Sequence, residues 1–132
     1  MDDYAHHPTE IQATLSAARA LAPGHIICVF QPHTYSRSYE LLDDFSRAFA
    51  MADTVVVTDI YAAREKDNGL INSRMITEGI NRNTGNAVYI SDFRDIVRFL
   101  DENAQSGDLV LTMGAGDVYR VGEMYLASTD LP

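Results

Sequence analysis

The chain has one lysine, one cysteine and no tryptophan in 132 residues, and each scarcity closes off a class of function. The single lysine, Lys66, lies in no Gly-x-x-x-x-Gly-Lys-[Ser/Thr] context, so no P-loop exists within these residues. Cys28 stands alone, which rules out an internal disulfide or a Cys-x-x-Cys zinc site and fits a reducing, cytoplasmic compartment. It sits mid-run in His25–Phe30, the place of a buried strand residue rather than of a nucleophile at a turn. Positive charge is also short. Ten Lys and Arg against nineteen Asp and Glu leave a net charge of −9. Nucleic-acid affinity comes from basic side chains that displace counterions, so no nucleic-acid partner is expected. No apolar stretch approaches the ~20 residues that cross a bilayer, so no membrane partner is expected. The polar start, Met1 to Pro8, is not a signal peptide.

What is present is ordinary globular material, 46% hydrophobic and 22% charged, in a length that supports one core. Apolar residues at Ile11, Leu15, Ala18 and Ala22 predict a helix opened by Pro8-Thr9-Glu10 and ended by Pro23-Gly24. His25–Phe30 predicts a strand covered on both faces. A helix is expected from about Ser36 to Met51, with Leu41, Phe45, Ala48 and Ala52 inward. Strands follow at Thr54–Thr58, Asn86–Ile90 and Asp108–Met113. Helices are expected over Ser73–Ile80, after Ser91 or Asp92 (Phe93, Ile96, Val97, Leu100), and after Gly114–Asp117 (Val118, Val121, Tyr125). Strands alternating with helices predict one α/β domain, Rossmann-like and doubly wound on a mostly parallel sheet. No strand is expected ahead of Asp2, and the chain reads as though one, or a whole preceding domain, lay just upstream.

In such sheets ligands bind beyond the carboxyl ends of the strands, and the polar clusters all fall there. In Asp2–Glu10, Asp3 either caps the chain or accepts two ribose hydroxyls. An imidazole at the helix start, His6 or His7, is either solvated or donates to a phosphate or carboxylate. No ligand spacing completes a metal set around the two histidines. In Gln31–Arg37, Arg37 opposes the dipole at a helix start, so it either clamps an anion or pairs with Glu40 or Asp44. Gly114-Ala115-Gly116-Asp117 suits close backbone approach to a ligand, or is a tight turn with Asp117 as N-cap; Tyr119 breaks the dinucleotide fingerprint. Tyr4, Tyr35, Tyr61 and Tyr119 either ring a cleft or are half-buried rim residues.

Four motifs in order, Asp2-Asp3-Tyr4-Ala5-His6-His7-Pro8-Thr9-Glu10, Phe30-Gln31-Pro32-His33-Thr34-Tyr35-Ser36-Arg37, Asp59-Ile60-Tyr61-Ala62-Ala63-Arg64-Glu65 and Gly114–Asp117, resemble the C-terminal domain of the Mur ligases of peptidoglycan synthesis. The His-His-Pro-Thr-Glu form with Gln-Pro-His points to the alanine-adding branch, and a murein-peptide recycling ligase is the nearest competitor. The resemblance implies that residues 1–132 are a C-terminal domain. An N-terminal UDP-binding domain and a central ATPase domain, the implied partner, lie outside these residues. It implies the substrates L-alanine, ATP and UDP-N-acetylmuramate, with Mg²⁺ held mostly by the central domain, and no activity for this domain alone. By motif it implies His6 as catalytic, facing the reacting phosphate, and Asp3, Tyr4 and His7 as nucleotide contacts. His33, Tyr35, Arg37, Gly114 and Asp117 become the substrate contacts, with Arg37 pairing the amino-acid carboxylate. Some members carry arginine where this chain has Thr34, which leaves more of the clamp to Arg37. Others have glycine near Arg64. A different class of reading is a stand-alone α/β small-molecule-binding module. Its receiver form fails because Lys66 directly follows the Asp59 loop instead of ending another strand.

Overall fold

Ile26–Phe30 is buried at every position, which a strand achieves only between two covering layers. In the computed structural model, which describes residues 2–21 and 23–129, this strand is the centre of a five-stranded, all-parallel sheet. The strands are β1 (Asp2–Asp3), β2 (Ile26–Phe30), β3 (Thr54–Val57), β4 (Ala87–Tyr89) and β5 (Leu109–Met113), in the spatial order β1-β5-β2-β3-β4. The helices are α1 (Pro8–Ala20), α2 (Tyr35–Glu40), α3 (Leu42–Ser46), α4 (Ser73–Asn83), α5 (Phe93–Asn103) and α6 (Tyr119–Thr129).

Alternation along the strands sorts the core into two clusters. Ile26, Cys28 and Phe30 join Val55, Val57, Leu111 and Met113 beneath Ile11 and Leu15 of α1, Phe45 of α3, and Ile76 and Ile80 of α4. Ile27, Val29 and Val56 face Ile96 and Leu100 of α5 with Val118 and Val121. The layers are therefore helix, sheet, helix, as the alternation of elements predicts. Cys28 is fully buried, and burial pushes its thiol well above the ordinary cysteine range. It is core, as its place in the run implies.

Topology decides where a ligand can sit. The chain leaves β1 and β2 toward one face, and leaves β5 toward the other through α6. Because β5 lies between β1 and β2, neighbouring loops diverge on both of its flanks. That divergence opens a crevice at the carboxyl ends. Backbone ties at the opposite edge hold the strand starts. Asp53 accepts from the Ile26 N–H (2.7 Å) and from Arg19 (2.9 Å), and Asp108 accepts from the His25 N–H (3.0 Å).

Three expectations change. The first motif itself opens in a strand, where only a loop and helix entry are expected. Asp2 and Asp3 pair with Thr112 and Met113, a two-residue strand too short to show periodicity. The single helix expected over Ser36–Met51 is instead α2, a break at Leu41 (φ −106°, ψ 16°) and α3. Beyond Ser46 the chain runs in tighter turns, with Arg47 N–H to Asp44 O, Ala48 to Phe45 and Ala52 to Phe49. Ser38 and Ser46 hydroxyls donate to carbonyls four residues back, a competition that bends helices. Phe45, Ala48, Phe49 and Ala52 are buried all the same, because tighter turns satisfy a three-and-four spacing about as well as an α-helix. Finally, α1 ends at Ala20 with Leu21 as C-cap, and Ala22 lies outside the described residues.

Candidate active site

The loop from β1 to α1 places the first motif. Asp3 turns the chain by accepting the Ala5 N–H at Oδ1 (2.7 Å), and Oδ2 accepts from Thr14 (3.3 Å). A carboxylate has about four acceptor positions, so two remain for an outside donor. His7 is the N-cap of α1. Its Nδ1 accepts from the Thr9 N–H (3.2 Å), and Glu10 returns the bond to the His7 N–H (3.1 Å), closing a capping box. His6 differs. Its Nδ1–H donates to the Tyr4 carbonyl (2.9 Å). The two rings are therefore committed differently: Nδ1 of His6 is used as a donor, while Nδ1 of His7 is used as an acceptor, which puts the His7 ring proton on Nε2 at the positive end of the helix.

The loops after β2 and β3 are zipped together beyond the sheet. Tyr61 N–H donates to Pro32 O and Thr34 N–H donates to Tyr61 O, both at 2.8 Å, closing a parallel bridge between His33 and Tyr61. Each loop contains one strained residue beside this bridge, Thr34 at φ 65° and Ala63 at φ 56°. Thr34, with ψ 147°, occupies a region that belongs almost wholly to glycine and costs on the order of 1–3 kcal/mol. Four bonds hold it: the one to Tyr61, the Ser38 N–H and hydroxyl to its carbonyl, and the Arg37 N–H to its Oγ1 (3.4 Å). Strain kept by so many contacts marks a place where side-chain aim is fixed.

His33 is the centre of the arrangement. Its ring stands 5.6 Å from that of His6 and stacks on Tyr61 at 5.7 Å. Its Nδ1 is buried with no hydrogen-bond partner. Burial lowers its pKa, and the neighbouring His6 and Arg37 lower it further, against an opposing pull from Glu65. The ring is therefore neutral near pH 7. Arg37 lies on the exposed first turn of α2 and makes no ion pair among the described residues. Of its two sequence readings, the bridge to Glu40 or Asp44 is not formed.

Gly114–Asp117 meets these loops through Gln31. The Gln31 amide donates to Asp117 Oδ1 (2.7 Å), and its Oε1 accepts the Val118 N–H (3.2 Å). Asp117 is thus tied to Gln31, in the loop after β2, rather than serving as a side-chain cap of α6. A Cβ on Gly116 would lie 2.5 Å from the Tyr61 ring and 2.6 Å from Gln31 Oε1, so only glycine lets the three loops close. Beside them a cavity of about 210 Å³ is lined by Asp2, Asp3, Tyr4, Thr112, Gly114, Gly116, Val118 and Tyr119.

Asp3, Tyr4 and Gly114 thus share one cavity. Gly116, on its lining, abuts Tyr61, whose ring stacks on His33 next to His6. His6, His33 and Arg37 do not line the cavity themselves, and Arg37 is near enough to His33 to lower its pKa. Tyr35 does not join them: its ring packs against the core under α2. Gln31 is a residue whose role the sequence does not disclose, although it stands inside a motif; Tyr61, one of the expected rim tyrosines, also supplies the backbone rungs to Pro32 and Thr34. Gln31 is only 5% exposed; Gln31→Ala leaves Asp117 and the Val118 N–H without it and should cost about 2–3 kcal/mol in a urea melt. An unchanged midpoint would remove it from this role. Among the described residues no set of three His, Cys, Asp or Glu is placed to hold a metal ion. No helix among them is long and apolar enough to cross a membrane.

The chain is similar in sequence and fold to known proteins. UDP-N-acetylmuramate–L-alanine ligase of Acetivibrio thermocellus is 59% identical over 126 residues, which are 96% of this chain and 27% of that protein. The crystal structure of UDP-N-acetylmuramate-alanine ligase from Thermotoga maritima superposes with a TM-score of 0.76 at 24% identity, over 96% of this chain and 25% of that one. A murein peptide ligase from Psychrobacter arcticus superposes at 0.72 and 20% identity, over 98% and 27%. The chain therefore spans about a quarter of the length of these relatives. Residues 1–116 match the profile of the family described as Mur ligase, glutamate ligase domain. With the fold, the motif order and the sequence profile in agreement, this chain belongs to the Mur ligase family, as its C-terminal domain.

Proposed function

We propose that the chain is the C-terminal domain of an ATP-dependent ligase that adds L-alanine to UDP-N-acetylmuramate in peptidoglycan synthesis, together with UDP-binding and central ATPase domains. The observation that carries this reading is the meeting of His6 and His33, ring to ring at 5.6 Å from two different strand ends, with Arg37, which makes no ion pair among the described residues, near enough to lower the His33 pKa. The choice between an alanine-adding and a murein-peptide ligase rests on sequence. Relatives named for the former are 52–59% identical, whereas the murein peptide ligase of P. arcticus is 20% identical in a similar fold.

In the proposed reaction ATP phosphorylates the muramoyl carboxylate with release of ADP, and the alanine amine, losing a proton, attacks the acyl phosphate. The tetrahedral intermediate collapses to amide and phosphate. The domain's share is orientation and charge. Arg37 pairs the alanine carboxylate, which aims the amine. Neutral His33 lines the same subsite without repelling an ammonium. Asp3 has acceptor positions for ribose hydroxyls, and the Nε2–H of His7 is a donor for a phosphate oxygen, with the His6 ring beside the same helix start. A cavity of 210 Å³ falls below the ~300 Å³ at which small-molecule pockets begin, so this surface is one wall of a site completed by the ATPase domain.

A wall alone binds poorly, because its few contacts do not offset the ordering cost. Titrating ATP into the 132-residue chain, followed by backbone amide shifts, should give affinity on the order of millimolar or none. No ADP should form with L-alanine and UDP-N-acetylmuramate present. Micromolar binding, or turnover by the chain alone, would contradict the reading.

A further inference from the structure

Glu65 lies in the loop after β3, outside every contact so far given to nucleotide or amino acid. Both its carboxylate oxygens are committed to one residue. Oε1 accepts the Ser36 backbone N–H at 3.0 Å, and Oε2 accepts the Ser36 hydroxyl. Ser36 is the residue immediately before Arg37, in the first turn of α2. Glu65 itself is anchored by a turn, its N–H donating to Ala62 O at 3.0 Å, just past Ala63 with its left-handed backbone. The two Ser36 bonds hold the Glu65 carboxyl below the usual glutamate range, so it stays ionised.

The arrangement separates two jobs that one carboxylate could have confused. Glu65 is close enough to grip the peptide next to Arg37, yet no ion pair joins them. Its charge is spent on the Ser36 donors, and the guanidinium remains open to an outside carboxylate. The α2 helix has only six residues and begins at strained Thr34, so its own hydrogen bonds fix its start weakly. The Pro32–Tyr61 and Thr34–Tyr61 rungs fix the loop before Ser36, and the Glu65 grip fixes the turn that carries Arg37.

We propose that Glu65 is a positioning residue that aims Arg37 at the amino-acid carboxylate by gripping both donors of Ser36; this rests on the reading of Arg37 as the alanine clamp. A misaimed clamp loses ground-state binding of alanine without touching the nucleotide or the chemistry of the acyl phosphate. In the complete ligase, Glu65→Ala should raise the KM for L-alanine about tenfold and leave kcat and the KM for ATP within about twofold. Glu65→Gln, which keeps one carbonyl acceptor, should fall between. The distinguishing readout is a double-mutant cycle. If Glu65 acts through Arg37, adding Glu65→Ala to Arg37→Ala should change the alanine KM by less than about twofold, because there is no longer a clamp to aim. Should Glu65→Ala fail to fold, Ser36→Ala removes the hydroxyl half of the grip and should give a partial rise with the same non-additivity. An unchanged alanine KM in these single variants, or a full multiplicative effect on top of Arg37→Ala, would overturn the proposal while leaving the clamp standing. If Arg37→Ala alone leaves the alanine KM unchanged, the clamp reading fails, and this one with it.

Discussion

Replacing Arg37 by alanine in the complete ligase should raise the KM for L-alanine about 100-fold and leave the KM for ATP within about threefold. The magnitude follows from the geometry. A guanidinium fork on an amino-acid carboxylate makes two charge-assisted bonds, and hydrogen bonds to charged groups contribute about 1.5–3 kcal/mol each. Even with the lower value for both, about 3 kcal/mol is lost, and each 1.4 kcal/mol is a factor of ten. Nothing inside the domain compensates. Arg37 is exposed on the first turn of α2 and has no ion-pair partner among the described residues, so its loss frees no buried charge and should leave stability unchanged. Arg37→Lys keeps the charge and loses the planar fork, so its rise should be smaller, about tenfold. Initial rates with each substrate varied in turn decide the matter. Equal effects on alanine and ATP would mean that Arg37 holds the site together without touching the amino acid.

The largest effect on stability should come from Phe30→Ala, at about 4 kcal/mol. Phe30 is fully buried at the carboxyl end of β2, with the rings of Phe49 and Phe45 at 5.0 and 5.4 Å. Truncation loses the transfer energy of the ring, opens a cavity and removes two aromatic contacts at once. The position also matters for the site. The next three residues are Gln31, Pro32 and His33, so loosening this end of β2 loosens the loop that carries both the Gln31 pin and the neutral imidazole. A urea melt should show a lower midpoint with an unchanged slope. Tyr39→Ala on the exposed side of α2, where Tyr39 is 56% accessible, should cost no more than about 0.5 kcal/mol. Comparable losses for the two would contradict the assignment of Phe30 to the core.

Alternation made the architecture legible before any coordinates. β2 reads as a two-sided strand because Ile26 to Phe30 leaves no polar position for solvent, and the polar loops after successive strands then had to share an edge. β1 was invisible for the opposite reason. Asp2 and Asp3 are strand residues only because Thr112 and Met113 stand beside them, and no local preference of aspartate says so. The division between α2 and α3 was hidden because the buried set Phe45, Ala48, Phe49 and Ala52 suits a continuous helix and a run of tighter turns alike.

At the candidate site, the motifs pick out loops that the fold brings to one edge of the sheet, but not the contacts made inside them. His6 and His7 are adjacent and look equivalent, yet one ring is committed through a donor and the other through an acceptor. That difference belongs to the helix entry and not to the residue type. Tyr35 stands between two residues of the cleft and turns into the core instead. Asp117 reads as a cap because it precedes a helix, but an amide 86 positions earlier claims it. Gln31 and Glu65 act at long sequence separation on backbone donors, and no spacing rule along the chain reveals such pairs.

The central claim is that this domain supplies the alanine-binding wall of a cell-wall ligase. The direct measurement joins the 132 residues to the UDP-binding and ATPase domains of the A. thermocellus ligase, in place of its own C-terminal domain, and follows ADP release. The account predicts release that requires both UDP-N-acetylmuramate and L-alanine, and that saturates with alanine in a manner sensitive to Arg37. A folded chimaera that binds ATP and the UDP-sugar but releases no ADP on addition of L-alanine would contradict it.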